Sequence, residues 1–282
     1  MIKNDFHCHT SASDGALTPH QLLERAYEFE VKRLAITDHD TTLGYEQALD
    51  LYDPNQIELI SGVEISCSWN KQTIHVVALD FDVTNSVLQA GLGLNRQLRV
   101  ERARTILHKL AQSPNAHLQA IVQETMPLLD DDTLVIGRGN IAQKMIEKQL
   151  VKNMPQAFDR YLKRGRIGYA KVEWPSLEEI VAWILQAGGI AVLAHPKTYP
   201  LSNNKLNQLI QAFKDAGGQA IEVINRPRMC AEQTGLIERA KRFDLYASMG
   251  SDFHRPEHHW RGLGWLTPMP ENCRPVWELF KN

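Results

Sequence analysis

Cysteine is sparse and unpaired in this sequence. The four present, Cys8, Cys67, Cys230 and Cys273, form no C-x-x-C pair, which excludes a zinc ribbon and a disulfide framework and suits a reducing compartment. No apolar run approaches the roughly 20 residues a membrane-spanning helix needs. The first residues lack the basic-then-apolar pattern of a secretion signal. The expectation is a cytoplasmic protein with no membrane partner. Strong charge of either sign is also missing: the formal net charge is −2, so no general affinity for long duplex nucleic acid is expected. There is no low-complexity tract and no repeat of fixed period. What remains, 43% hydrophobic and 23% charged residues over 282 positions, suits one large α/β domain or a main domain carrying an insertion.

Short apolar runs punctuate the chain: "RLAITDHD", "IELISGVEIS", "TIHVVALDF", "GIAVLAHP", "AIEVIN" and "LYASMGSDFH". Helical patterns separate most of them, as at Leu22, Leu23, Ala26 and Phe29 behind Thr18-Pro19. Ser176 with Glu179 predicts a capping box for another helix, closed by Gly188-Gly189. Strands alternating with helices predict a βα sheet or barrel. Residues 84–171 break this rhythm with "SVLQAGLGLNRQLRVERARTILHKLA" and a second helical region near 140–165. They read as a helical lid subdomain inserted into a barrel domain formed by 1–83 and 172–282. Residues 96–171 hold fourteen Lys or Arg against seven Asp or Glu. A basic lid beside an acidic remainder suits an anionic substrate, although a solvated helix face explains most of these side chains singly.

The opening stretch "DFHCHTSASDG" raises a question of ligand choice. If it ends a strand, alternation puts His7 and His9 on one face and Cys8 on the other. By itself the pair reads equally well as surface histidines. The rest of the chain decides, because His7, His9, Asp38, His39, Glu64, His195, Asp252 and His254 all fall at or just beyond the C-terminal end of an apolar run, where βα barrels assemble active sites. His75 sits early in its run, and the short "CSWNKQ" connection lets a hairpin carry it to the same rim. Asp14 follows the first pair closely. His20, His108, His117, His258 and His259 read as packing or surface residues. Imidazole and carboxylate without thiolate suit zinc, manganese or iron.

In this order, "FHCHTSASDG", "ITDHD", "GVEIS", "AHP" and "GSDFH" resemble the motif signature of the polymerase and histidinol phosphatase (PHP) superfamily. The likeness runs from residue 2 to about 255. The inserted helices and "IHVVALDFD" are further similar to bacterial members acting on nucleotides, among them nucleoside 3′,5′-bisphosphate phosphatases and 5′-3′ exoribonucleases of short RNA. The resemblance implies an α/β fold, a distorted (β/α)7 TIM-like barrel, with two or three divalent metal ions: Mn, Zn or Fe, with Mg compatible. His7, His9, Glu64 and Asp252 would hold the first, and Glu64 would bridge to a second completed by His75 and His195. Asp14, His39 and His254 would hold the third. Asp38, beside His39, would act catalytically by orienting a histidine. In the inserted region the family pattern has arginine followed by Gly-His or Pro-His. Here "GRGNIA" keeps Arg138 but puts Asn140 in place of the histidine. Arg138 is expected to clamp phosphate, because its forked guanidinium matches phosphate oxygens; Lys163, Arg164 and Lys197 are further substrate-binding candidates. The implied activity is phosphoester hydrolysis of a nucleotide or short RNA by metal-activated hydroxide. Histidinol-phosphate phosphatase, amidohydrolase and a non-catalytic metal-binding module are the alternatives.

Overall fold

The computed structural model describes residues 2–131, 134–258 and 260–281. Strand β1 (Lys3–Cys8) leads to helix α1 (Pro19–Glu28). The Thr18 hydroxyl accepts from Gln21 N, and Gln21 Oε1 accepts from Thr18 N, so this helix starts with a reciprocal cap and Pro19 in its first turn. Its Leu22, Leu23 and Ala26 face is buried. Strand β2 (Val31–Ile36), helix α2 (Leu43–Leu49) and strand β3 (Glu58–Ile60) follow, then β4 (Gly62–Trp69) and β5 (Gln72–Leu79). Helix α3 covers Ser86–Ala111, the span that the sequence marked as one long helix. Helices α4 (Ala116–Thr125), α5 (Arg138–Glu147) and the single turn α6 (Met154–Ala157) come next. The chain continues through α7 (Leu177–Gln186), β6 (Ile190–Leu193), α8 (Asn203–Asp215), β7 (Ala220–Ile224), α9 (Ala231–Arg242) and β8 (Tyr246–Met249).

The chain divides into two compact units, residues 1–93 with 174–282, and residues 94–173. The first is a mixed α/β unit. Its strands do not form one closed ladder of seven: β1-β2-β3 make a parallel sheet, and β4 to β8 make a second sheet in chain order. The physical reason for the mixed direction is the β4–β5 turn, where Asn70 (φ 46°) and Lys71 (φ 65°) are both left-handed. That conformation fits a tight hairpin and reverses the chain. Strand β5 is thus antiparallel to both neighbours, whereas β6-β7 and β7-β8 are parallel. Isolated bridges Cys8–Phe253 and His39–Glu64 link the two sheets. The main core packs Val76, Ala78 and Val192 with Ile180 and Ile184 of α7, Leu209 and Phe213 of α8 and Leu236 of α9. Each such large side chain contributes roughly 1.5–3 kcal/mol on burial. The expected Ser176–Glu179 box caps α7.

The second unit is helical. Leu107, Leu110, Ile121, Ile141, Met145 and Leu162 form its own core.

Candidate metal centre

Nine side chains named from the sequence converge in the first unit. Ligand-type atoms lie within 4.8 Å of one another in four overlapping sets: His9, Asp14, His39 and His254; His7, His9 and Asp252; His7, Glu64 and His195; His39, Glu64 and His75. Glu64 is at the middle of them. Its Oε1 is 2.8 Å from both His75 Nδ1 and His195 Nε2. Its Oε2 is 2.9 Å from His39 Nδ1 and 3.4 Å from both His7 Nε2 and His9 Nε2. Asp252 Oδ1 stands 3.7 Å from His7 Nε2 and 3.4 Å from His9 Nε2. Asp14 Oδ1 stands 3.3 Å from His254 Nε2 and 3.9 Å from His39 Nε2 and His9 Nδ1. The two nitrogens of His9 therefore face different carboxylates.

The elements explain the convergence. His9, Asp38, His39, His195, Asp252 and His254 follow the ends of β1, β2, β6 and β8. Glu64 is different: the apolar run splits at Ser61, and Glu64 lies inside β4, opposite Val77, with Ser66 opposite His75. The hairpin thus delivers His75 from a strand running the other way. His195 (φ 27°) and Asp252 (φ 53°) take left-handed backbone conformations. Each costs about 1–3 kcal/mol for a side-chain-bearing residue, and such strain gathers where a side chain must be aimed.

Electrostatics prepare the set for a cation. Burial would raise Glu64, but His75, His39 and His7 hold it well below the usual carboxylate range. Burial would likewise raise Asp14, and His254 and His39 reverse that. Burial lowers His9 strongly, helped by His254 and His39, and lowers His75 to about 4 despite Glu64. His75 and His9 are thus neutral, as ligands must be. Burial would also lower His7, yet Glu222 and Glu64 raise it to about 10. Buried His7 Nε2, both nitrogens of His9, His39 Nδ1 and Asp14 Oδ1 make no hydrogen bond. Leaving buried polar atoms in that state is costly. A divalent cation coordinated by these atoms removes the cost, so the residues fit a metal.

Other expectations fall differently. Among the described residues Asp38 is hydrogen-bonded to no histidine: its Oδ1 accepts from Thr10 N at 2.8 Å and Ser13 Oγ at 2.5 Å, and its Oδ2 accepts from Thr10 Oγ1 at 2.6 Å. Those bonds fold the loop between His9 and Asp14, and adjacency to His39 in the chain was misleading. The carboxylate behind a histidine is Glu222, 2.9 Å from His7 Nδ1 and accepting from His195 N at 2.6 Å. The sequence signal for it is a charged residue in the middle of the apolar run "AIEVIN". Arg261 was also missed; its Nη1 pairs with Asp252 Oδ2. Cys8 is buried on the far face, its thiol directed at Ala35 O. Arg138 lies in the helical unit with Arg99 and Arg102. Burial and the repulsion of the other two lower Arg102 to about 8, and burial and Arg99 lower Arg138 to about 10. Asn140 Oδ1 accepts from Gly137 N at 2.7 Å, a helix-capping role that accounts for the amide where the family pattern has histidine. Lys163 pairs with exposed Asp159 on its own turn, Arg164 is exposed, and Lys197 reaches Asn203 Oδ1. His20, His108 and His117 are exposed and outside the cluster. His259 lies outside the described residues.

The PHP domain model matches residues 5–223. The chain is 38% identical over 277 residues to the 3′,5′-nucleoside bisphosphate phosphatase of Chromobacterium violaceum, covering 98% of this chain and 96% of that one. It is 39% identical over 280 residues to the 5′-3′ exoribonuclease of Haemophilus influenzae, covering 99% of each. Among solved structures, one from Chromobacterium violaceum, described as an amidohydrolase with bound sulfate and no metal, is 37% identical with a TM-score of 0.90, covering 99% of this chain and 96% of that one. A candidate metal-dependent phosphoesterase from Bifidobacterium adolescentis is 27% identical with a TM-score of 0.78, covering 98% of this chain and 93% of that one.

Proposed function

The chain belongs to the PHP domain family, and from that premise we propose a metal-dependent phosphoesterase whose substrates are nucleoside 3′,5′-bisphosphates, short 5′-phosphorylated oligoribonucleotides cut 5′ to 3′, or both. The observation that carries the reading is the convergence of five imidazoles, those of His7, His9, His39, His75 and His195, on the two oxygens of the single buried carboxylate Glu64. Such a set suits manganese, zinc or iron. His7, His9, Glu64 and Asp252 would hold one ion, Glu64 with His75 and His195 a second, and Asp14, His39 and His254 a third, with His9 Nδ1 added to it by the geometry. We read the two sheets as halves of a distorted barrel with their seams at the Cys8–Phe253 and His39–Glu64 bridges, and the protein as cytoplasmic.

When bound, such ions lower the pKa of water and neutralise charge on phosphoryl oxygens. The chain's own groups do the rest. With a metal bound, Glu222 would keep the remaining proton of His7 on Nδ1, so that Nε2 would offer its lone pair beside Glu64 and Asp252. Glu64 and Asp14, held ionised by the surrounding imidazoles, keep the pocket anionic enough to retain cations. In the helical unit, Arg138 is the group assigned to hold a phosphate anion, its forked guanidinium matching the phosphate oxygens.

The test is hydrolysis, with added manganese, of adenosine 3′,5′-bisphosphate, a short 5′-phosphorylated RNA and histidinol phosphate side by side. Phosphate released from the first, or nucleotides released stepwise from the second, supports the reading. Turnover of histidinol phosphate alone would overturn the substrate and leave the metal site standing. Ammonia release from an amide substrate, with none of the three phosphate esters hydrolysed, would favour the amidohydrolase reading.

A further inference from the structure

The segment after His254 runs along the metal cluster and is held there at several points. Arg255 Nη2 lies 3.3 Å from Asp14 O. Arg261 Nη1 lies 3.4 Å from Asp252 O and pairs with the Asp252 carboxylate. His258 N donates to Arg255 O at 3.1 Å, Arg261 N to His258 O at 2.9 Å, and Trp265 N to Gly262 O at 3.0 Å. These backbone hydrogen bonds tie the described residues of this rim to one another. Between its two cationic anchors sits Trp260, 63% exposed. One face of its indole is covered by the His258 ring, with centroids 4.9 Å apart and planes 22° from parallel. His258 is itself near enough to His254 for that ring to depress its basicity, after burial and Arg255.

Trp260 is a large aromatic side chain left mostly in water, stacked on His258, in a segment whose Arg255 and Arg261 touch the buried ionic centre. Its flat outer face suits a flat partner. Bases stack on such platforms whatever their identity, because every base has a π face. Arg255, whose Nε makes no hydrogen bond, adds a cation to this border, which suits an anionic ligand that carries a base.

We propose that Trp260, backed by His258, is the stacking platform for the substrate's nucleobase, making Arg255, His258, Trp260 and Arg261 the part of the site that distinguishes nucleotides from other phosphate esters. This rests on the nucleotide reading above and adds a specificity residue to it. The platform does not touch the reacting phosphate. It contributes by binding the base, and its effect belongs mainly in KM.

The test compares kcat/KM for adenosine 3′,5′-bisphosphate with that for 1,2-dideoxyribose 3,5-bisphosphate, which has the same phosphates and no base. In the wild-type protein the first substrate is favoured. In Trp260→Ala the ratio between the two should fall by about 5- to 150-fold, the equivalent of about 1–3 kcal/mol for one stacked base, with most of the change in KM. Trp260→Phe, which keeps a ring, should recover most of the ratio and guards against a folding defect. An unchanged ratio in Trp260→Ala, with both substrates turned over, overturns the platform and leaves the functional reading intact. A wild-type protein that hydrolyses neither bisphosphate overturns the platform, and one that also leaves a short 5′-phosphorylated RNA uncut overturns the functional reading.

Discussion

Glu222→Gln isolates what one carboxylate does behind the metal centre. Glu222 is 3% exposed and uses both oxygens: one lies 2.9 Å from His7 Nδ1, and the other accepts from the backbone N–H of His195 at 2.6 Å. A backbone N–H can only donate, so glutamine must keep its carbonyl there and turn its amide NH2 toward His7 Nδ1. Two donors then face each other unless His7 moves its proton to Nε2. That proton would point at Glu64 and Asp252, occupying the lone pair a metal requires. Disrupting such support behind a ligand typically costs 10–100-fold in metal affinity, or about 1.4–2.7 kcal/mol. Competition with a fluorescent chelator reads the affinity, and a thermal melt of the metal-free protein reads the fold. We expect the affinity loss with a modest change in melting. Glu222→Ala leaves both donors buried without a partner and should lower the melting temperature as well. A Glu222→Gln protein that binds metal within twofold of wild type would refute the reasoning, because the tautomer would then not depend on this carboxylate.

Three other outcomes follow from the same geometry. In the metal-free protein His7 keeps its proton up to about pH 10, against 6.5 for an unperturbed imidazole; the stability this confers is complete below 6.5 and lost as pH rises through 10. Metal uptake near neutral pH should therefore expel close to one proton from His7, seen as a buffer-dependent binding enthalpy, and the expulsion should shrink in Glu222→Gln. Gly250→Ala should cost about 1–3 kcal/mol by denaturant unfolding, since a Cβ there would come 2.2 Å from His7 Cβ and 2.7 Å from Glu222 Oε1; wild-type stability would show that the strand end gives way freely. Inorganic phosphate should raise the melting temperature of the wild-type protein, and Arg138→Ala should reduce that rise; an equal rise in both would remove Arg138 from phosphate binding.

Much of this protein could be read in one dimension. Cluster residues that follow strand ends are legible because two patterns coincide there: an apolar run stops, and a polar side chain takes over where the chain leaves the sheet. His9, His39, His195 and Asp252 are found that way, and the Asn70-Lys71 hairpin turn accounts for His75. The capping boxes at Thr18 and Ser176 and the length of α3 are local too, set by residues within a few positions of each other. Tertiary structure decided what depends on residues far apart in the chain. Glu222 is 215 positions from His7, and inside "AIEVIN" nothing local says which imidazole it meets. Asp38 stands beside a ligand in sequence, yet the loop from Thr10 to Ser13 takes its oxygens. The strands form two sheets because hydrogen-bonded ladders depend on register and direction, which no single run encodes. The sequence determined which side chains the chain carries; only the fold determined which of their atoms converge, because convergence is a matter of distances of 2.8–3.9 Å between residues that the chain holds far apart.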